Sequence, residues 1–134
     1  TELKKNPKVY FVDTGLRNYI INNFNELGLR ADAGKLVENA VLFGLSANDE
    51  AAIKYWRTAA KAEVDFILDN KKAIVPIEVK YSALKAPEIS RGFRSLLKEY
   101  KPAKALVLTK GCWGRIKIDG TMVGFVPAWY ANGE

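Results

Sequence analysis

Two acidic residues and a lysine in the middle of the chain have the types and spacing of a divalent-cation site. Glu78 and Lys80 are two residues apart in the strand-like run 73–81, and Asp65 lies in the preceding run 63–68. Alternate side chains of a strand share a face, so Glu78 and Lys80 point to one side. If the two runs pair as neighbours, Asp65 converges with Glu78, and Lys80 lies beside them. Carboxylates bind hard divalent cations, and an ammonium group stabilises developing negative charge.

The same alternation predicts that Val64, Phe66 and Leu68 share one face of their strand, with Asp65 on the other. A Glu-x-Lys pair is also common on a solvated strand face, where an ion pair contributes well under ~1 kcal/mol. Glu63 is a second acid that could compete with Asp65 for the ligand position.

Glu38 is an acidic residue on a helix face that is otherwise apolar. Residues 34–45 are predicted to form a mostly enclosed helix, in which the neighbours of Glu38 at i+3, i+4 and i+7 are Val41, Leu42 and Leu45. A carboxylate on a buried face needs a cation or hydrogen-bond donors. Glu38 is therefore a third candidate ligand. The alternative is an acid favoured by the dipole at a helix N-terminus.

The counts of histidine and cysteine restrict the chemistry. The 134 residues contain no histidine, and Cys112 is the single cysteine. This excludes Ser-His-Asp and Cys-His catalysis, and zinc sites built from histidine or several thiolates. A metal ion would be held by oxygen atoms, which favours Mg²⁺, Mn²⁺ or Ca²⁺.

Positive charge is concentrated in the second half of the chain. The net charge is +6, and residues 71–117 alone contain twelve Lys or Arg and three acids. A basic stretch suits a polyanionic partner, because Lys and Arg contacts to phosphate dominate nucleic-acid affinity. Arg91, Arg94 and Lys98 lie on one face of a predicted helix in this stretch. The alternative is a solvated helix face.

The predicted elements follow the order helix, three strands, helix, strand. A short strand at 8–12 and a helix beginning at Asp13 precede the helix 34–45, and strands are predicted at 53–58, 63–68 and 73–81. A helix at 87–100 and a buried strand at 105–109 come next, and edge strands are predicted at 115–118 and 123–127. A helix between the third and fourth strands implies a right-handed parallel crossover. The sequence therefore predicts an α/β fold with a mixed sheet.

Length and composition are those of one globular domain covering residues 1–134. Apolar residues make up 49% and charged residues 27%, close to the globular average. The longest apolar runs are too short to cross a membrane. The first residues lack the apolar stretch of a secretion signal, and the lone cysteine suits a reducing compartment, so a cytoplasmic location is expected. The chain begins with Thr1 rather than Met, which favours a fragment of a longer protein.

Several segments together resemble a known family pattern, namely 34–39, 55–58, 63–66 and 76–80. In this order they are similar to the PD-(D/E)XK nuclease superfamily, with Val64-Asp65 in place of Pro-Asp and with Tyr81 directly after the lysine. More closely, the chain resembles the uncharacterised nuclease-like domain that follows an AAA-type ATPase module in many prokaryotic proteins. Segments 9–16 and 105–109 are similar to that family too.

The resemblance implies a restriction-endonuclease-like αβββαβ core, with a mixed central sheet flanked by helices, and Mg²⁺- or Mn²⁺-dependent hydrolysis of DNA phosphodiester bonds. Carried over by position, Asp65 and Glu78 would be metal ligands, and Glu38 would be an outer ligand. Lys80 would orient the attacking water or stabilise the developing charge.

The implied partners are DNA, contacted by Arg91, Arg94 and Lys98, and an upstream ATPase module of the same polypeptide. The chain has no Gly-rich phosphate-binding motif, so it is not the ATPase itself. The alternative function is a catalytically silent module of nuclease fold that binds DNA or docks on the ATPase. Homo-oligomerisation is left open. The three tryptophans could stack on bases, but a core or interface position is the favoured prediction.

Overall fold

The computed structural model describes residues 8–47 and 51–130, which form a six-stranded sheet with helices on both faces. The α-helices are α1 (Thr14–Ile20), α2 (Ala33–Ser46) and α3 (Arg91–Tyr100), with a 3₁₀ turn at Leu27–Leu29 between α1 and α2. The strands are β1 (Ala52–Arg57), β2 (Glu63–Asp69), β3 (Ile74–Lys80), β4 (Lys104–Thr109), β5 (Gly114–Ile118) and β6 (Thr121–Pro127). The predicted α/β class is confirmed. The expectation about a secretion signal rests on the first residues, which lie outside the described ones.

The sheet is mixed, as predicted, and its strand order is β1-β2-β3-β4-β6-β5. Strands β1, β2 and β3 are antiparallel, β4 runs parallel to both β3 and β6, and β5 is antiparallel to β6. Helix α3 connects β3 to the parallel β4. The prediction of two edge strands at the end of the chain was wrong for β6, which lies between β4 and β5. The buried Val123 and Phe125 explain this inner position.

Helix α3 covers one face of the sheet. Its Phe93, Leu96 and Leu97 are fully buried and pack with residues such as Val107 and Phe125. The helix begins at Arg91 rather than at the predicted residue 87, because the Ser90 hydroxyl caps it by accepting from the Phe93 N–H at 3.1 Å. The position of Ser90 at this cap brings it close to β3.

Helix α2 covers the opposite face through Val37 and Val41, which pack against residues including Phe66 and Ile77. This helix agrees with the predicted span. The prediction that it is mostly enclosed was wrong at Phe43, whose side chain is 55% exposed. The helix therefore buries one stripe rather than its whole circumference.

Residues 8–12 do not form the predicted strand, because no neighbouring strand pairs with them. Instead the buried side chain of Asn39 takes the place of a strand partner. Its Oδ1 accepts from the Phe11 N–H at 2.8 Å, and its Nδ2 donates to the Phe11 carbonyl at 2.6 Å. The predicted cap at Asp13 is present, since its carboxylate accepts from the N–H groups of Gly15 and Leu16. These bonds fix the segment that carries Lys8 against α2.

In the described ranges of the chain, none of the helices combines the length and the apolar character that crossing a lipid bilayer requires.

Candidate functional site

A β-bulge determines the direction of Asp65. Lys54 pairs with Ile67 and Trp56 pairs with Val64, so two residues of β2, Asp65 and Phe66, lie opposite a single residue of β1. Val64 then faces α3 whereas Phe66 faces α2. The prediction that Val64, Phe66 and Leu68 share one face was therefore wrong for Val64, whereas Phe66 and Leu68 do share the α2 face. Bulges bend a strand and redirect its side chains, often beside functional sites.

Asp65 lies at the end of the β2–β3 ladder and is fixed by the backbone of β3. The last ladder pair is Phe66 with Ile77, and beyond it the Asp65 Oδ2 accepts from the Val79 N–H at 2.8 Å. Burial raises the pKa of Asp65, and the neighbouring charge of Glu38 adds to this, against the Val79 hydrogen bond and Lys8, which lower it. Burial thus makes Asp65 harder to ionise than an aspartate in water.

The ammonium group of Lys8 lies among three carboxylates. Its Nζ is 3.1 Å from Glu38 Oε1, 3.3 Å from Asp65 Oδ1 and 3.8 Å from Glu63 Oε1. Burial alone would lower the pKa of Lys8, but the hydrogen bond to Glu38 and the three negative charges outweigh it, and the pKa is raised. A cation therefore already sits where Glu38 and Asp65 meet.

Tyr10 provides a second donor to Glu38. Its hydroxyl donates to Glu38 Oε1 at 2.5 Å. Burial and this hydrogen bond raise the pKa of Tyr10 strongly, so the hydroxyl keeps its proton. Glu38, placed by the second turn of α2, is held by donors from the preceding segment.

Glu78 points to the α3 side of the sheet, as the alternation of β3 predicts. Its Oε1 accepts from the Ser90 hydroxyl at 2.6 Å, whereas its buried Oε2 has no hydrogen-bond partner in the described parts of the chain. Burial raises the pKa of Glu78, partly opposed by Ser90, and the charge of Asp65 raises it further. Asp65 is thus near enough to affect the ionisation of Glu78.

The structure places Lys80 beside Glu78 but directs its ammonium outward, 3.3 Å from Glu88 Oε1. Arg91, Arg94 and Lys98 are exposed along α3, and Arg91 directly follows Ser90. The basic face of α3 therefore begins next to Glu78 and extends away from it.

Within residues 8–47 and 51–130, no three acidic or cysteine side chains are grouped as a metal site. Glu38 and Asp65 both contact Lys8. Glu78 instead accepts a hydrogen bond from Ser90 on the α3 face of the sheet. The three predicted acids are brought to one end of the β2–β3 pair, but not around one shared point.

A cavity of about 910 Å³ opens next to Asp65, between α2 and β1. Aromatic residues line much of it, including Tyr10, Tyr55, Trp56 and Phe66. Lys8 lines this cavity and also a smaller one of about 310 Å³ that contains Glu38 and Glu63. Lys8 and Tyr10 thus line both spaces.

Sequence reasoning missed three residues that contact the acids, which are Lys8, Tyr10 and Ser90. Lys8 and Tyr10 belong to a segment whose path depends on Asn39, and periodicity carries no signal for such a path. Ser90 could have been found, because serine at a helix start is a standard capping residue.

Comparison with known proteins adds a family. Residues 33–129 match the model of the family described as Domain of unknown function (DUF4143). The chain belongs to this family. The DUF4143 match runs from the start of α2 to just past β6 and includes all three acids, whereas Lys8 and Tyr10 precede it.

Two proteins similar to this DUF4143 chain are an uncharacterized protein from Mycobacterium bovis and one from Mycobacterium tuberculosis. Each is 30% identical over 128 residues, which is 93% of this chain and 28% of the relative. The chain thus spans little more than a quarter of the length of these relatives.

Proposed function

We propose that this DUF4143 domain is a metal-dependent nuclease that hydrolyses DNA phosphodiester bonds, with Asp65 and Glu78 as metal ligands and Glu38 as an outer ligand. The observation that carries the proposal is the position of the Lys8 ammonium, 3.1 Å from Glu38 and 3.3 Å from Asp65. The carboxylates there are arranged around a positive charge.

Two further features fit an oxygen-bound divalent cation. The buried Glu78 Oε2 lacks a hydrogen-bond partner in the described residues, and a buried carboxylate oxygen without a partner is costly unless a cation compensates it. The pKa of Asp65 and that of Glu78 are both raised by burial, as is common at catalytic sites. Grouping the acids requires Lys8 to leave its position.

The order α2-β1-β2-β3-α3-β4 is the αβββαβ order expected of a PD-(D/E)XK nuclease core. Asp65 lies in the bulge near the start of β2, and Glu78 lies near the end of the adjacent antiparallel β3. This agreement of element order supports the assignment of the acids, which otherwise depends on sequence resemblance.

The proposed chemistry divides among the residues as follows. A bound Mg²⁺ or Mn²⁺ would lower the pKa of water and stabilise negative charge on the phosphate. The Val79 N–H holds Asp65 in place, and Ser90 holds Glu78. Lys80 would turn from Glu88 to the phosphate and stabilise the charge that develops there. The cavity next to Asp65 would admit the substrate.

The basic face of α3 supports DNA as the partner. Arg91, Arg94 and Lys98 are exposed on α3, which begins directly after Ser90, the hydrogen-bond partner of Glu78. Contacts of this kind to phosphates position a nucleic acid without reading its sequence.

A second candidate function is a catalytically silent module that docks on the remainder of a longer protein, with an ATPase module as the expected partner. The exposed apolar side chains of α1 favour it, because Leu16, Tyr19 and Ile20 are each more than half exposed. Exposed apolar patches commonly mark protein interfaces.

Titration of Mg²⁺ and Mn²⁺ with supercoiled, linear and branched DNA separates the two functions. We expect metal-dependent cleavage that Asp65→Ala abolishes, while DNA binding measured in EDTA is retained. DNA binding by the unmodified chain without cleavage at any metal concentration would favour the silent module.

A further inference from the structure

Three aromatic side chains form an exposed cluster at one end of the sheet, hereafter the aromatic platform: Trp113, Trp129 and Tyr130. Their exposed fractions are 54%, 68% and 51%. The rings nevertheless contact one another edge-to-face, with centroid distances of 5.2 to 6.3 Å. Such contacts hold the rings in defined orientations. Of the two positions predicted for the tryptophans, core or interface, the core is excluded for Trp113 and Trp129.

The aromatic platform is fixed to the sheet by contacts on both sides. The Thr109 hydroxyl donates to the Cys112 carbonyl at 2.8 Å, and the Ala128 N–H donates to the Thr109 carbonyl at 2.8 Å. Gly114 packs so closely on Pro87 that an added Cβ would lie 2.6 Å from the proline ring. The rings are therefore carried by ordered backbone.

This position is close to the candidate metal ligands. Thr109, which anchors the aromatic platform, pairs in parallel register with Lys80, and adjacent strands are about 4.8 Å apart. Pro87 lies in the same loop as Ser90, the hydrogen-bond partner of Glu78. A strand bound at Lys80 would meet the aromatic platform within a few nucleotides.

Positively charged side chains lie beside the aromatic platform. Lys110 and Arg115 are exposed, and Glu88, which follows Pro87, forms an ion pair with Lys80. The Lys110 ammonium also lies 6.0 Å from the centre of the ring of Tyr81, the residue that follows Lys80. Exposed aromatic rings beside cations are the combination that binds single-stranded nucleic acid, because bases stack on the rings and phosphates contact the cations.

We propose that Trp113, Trp129 and Tyr130 form a base-stacking site for single-stranded nucleic acid. The site would hold an unpaired segment next to the carboxylates. The proposal rests on the proposed function for its choice of partner, and it adds that the substrate presents unpaired bases. An apolar protein surface is the competing occupant, but the exposed cations Lys110 and Arg115 favour a polyanion.

The test is the binding of a fluorescein-labelled oligothymidylate of about 15 nucleotides to this chain in EDTA, followed by fluorescence anisotropy. Trp113→Ala, Trp129→Ala and Tyr130→Ala should each weaken binding by about 5- to 100-fold. Trp113→Phe keeps a ring and should restore most of the affinity. Tyr100→Ala removes a half-exposed aromatic residue at the other end of the sheet and should leave the affinity unchanged.

The salt dependence distinguishes stacking from loss of charge. The slope of log affinity against log salt should be the same for the alanine variants and the unmodified chain, because no phosphate contact is removed. Wild-type affinity in all three alanine variants would overturn the stacking site, as would absence of oligothymidylate binding by the unmodified chain. EDTA prevents cleavage, so binding and cleavage are measured separately. If the rings are needed for binding but the chain cleaves no DNA at any metal concentration, the stacking site is supported and the proposed nuclease function is overturned.

Discussion

Lys8 neutralises the repulsion between Glu38 and Asp65 in the structure. Two charged carboxylates brought together repel each other, and an ammonium at 3.1 and 3.3 Å offsets that cost. A divalent cation would do the same with twice the charge. Lys8 and a metal ion bound to Asp65 therefore compete for the same carboxylate.

The first prediction concerns this competition. Lys8→Met keeps the length of the side chain and removes the charge, so we expect Mn²⁺ to bind on the order of tenfold more tightly, equivalent to about 1.4 kcal/mol. Lys104→Met, an exposed lysine at the opposite end of the sheet, should not change the affinity. The measurement is isothermal titration calorimetry with Mn²⁺. Equal or weaker binding by Lys8→Met would show that Lys8 does not occupy a metal position.

The second prediction concerns the buried carboxylate of Glu78. Burial raises its folded-state pKa above the ordinary value of 4.5. As the pH rises through 4.5, the unfolded chain loses this proton first, so folding becomes less favourable until the folded pKa is passed. The cost is present at pH 8 and absent below about pH 4.

Glu78→Gln should therefore be more stable than the unmodified chain at pH 8, by on the order of 1 kcal/mol or about 3–5 °C in Tm. The gain should disappear below about pH 4. Thermal unfolding followed by circular dichroism across this pH range measures it. Glu88→Gln, whose side chain is 65% exposed, is the matched control and should show no such gain. A Glu78→Gln variant that is less stable at pH 8 would contradict the account of this site.

The sequence predicted the acids better than their partners. Glu38, Asp65 and Glu78 were identifiable because a carboxylate in an apolar pattern is conspicuous. The contacts of Lys8 to Glu38 and Asp65 span 30 and 57 residues of sequence, and they depend on an irregular segment held by a side-chain amide. No local pattern specifies such a path.

Among the elements, the β2 bulge shows where period-2 reasoning fails. Strict alternation places Asp65 opposite Val64 and Phe66, but the extra residue puts Val64 on the α3 side and leaves Asp65 aimed at the end of the ladder. The bulge arises from pairing with β1, which the sequence of β2 alone does not determine. The bounds of β2 and β3, in contrast, followed from their apolar runs.

The third prediction concerns the contact between α3 and β2. A Cβ on Gly92 would lie 2.9 Å from the Glu63 carbonyl oxygen and 3.1 Å from its nitrogen. Backbone atoms cannot give way, so Gly92→Ala must move the first turn of α3, together with the Ser90 that holds Glu78. We expect a loss of about 1–3 kcal/mol in unfolding free energy, measured by urea denaturation.

Gly34→Ala is the matched control for that change. Gly34 lies in the first turn of α2, and an added Cβ there meets nothing within 4 Å. Its replacement should be neutral or stabilise the fold by up to about 1 kcal/mol. Equal effects at the two positions would show that close packing of α3 on β2 is not the cause.

At the scale of the whole molecule, the mixed sheet and the crossover through α3 were predictable because local elements and chain order constrain them. The position of β6 was not, since two short strands at the end of a chain can join a sheet in several orders. Burial of Val123 and Phe125 against α3 decides that order. The sequence located the basic charge only by residue number. In the structure part of it lies on α3 and beside the aromatic platform, and part lies at the opposite end of the sheet around Lys71, Lys72 and Lys101.

The central claim is that the carboxylates bind a divalent cation in place of Lys8. The most direct test is a crystal of this chain soaked with Mn²⁺, with the metal located by anomalous scattering. We predict a peak within about 2–2.5 Å of Asp65 and Glu78 oxygens, with the Lys8 ammonium displaced. A saturating soak that leaves Lys8 between Glu38 and Asp65, with Mn²⁺ absent or bound elsewhere, would contradict the account.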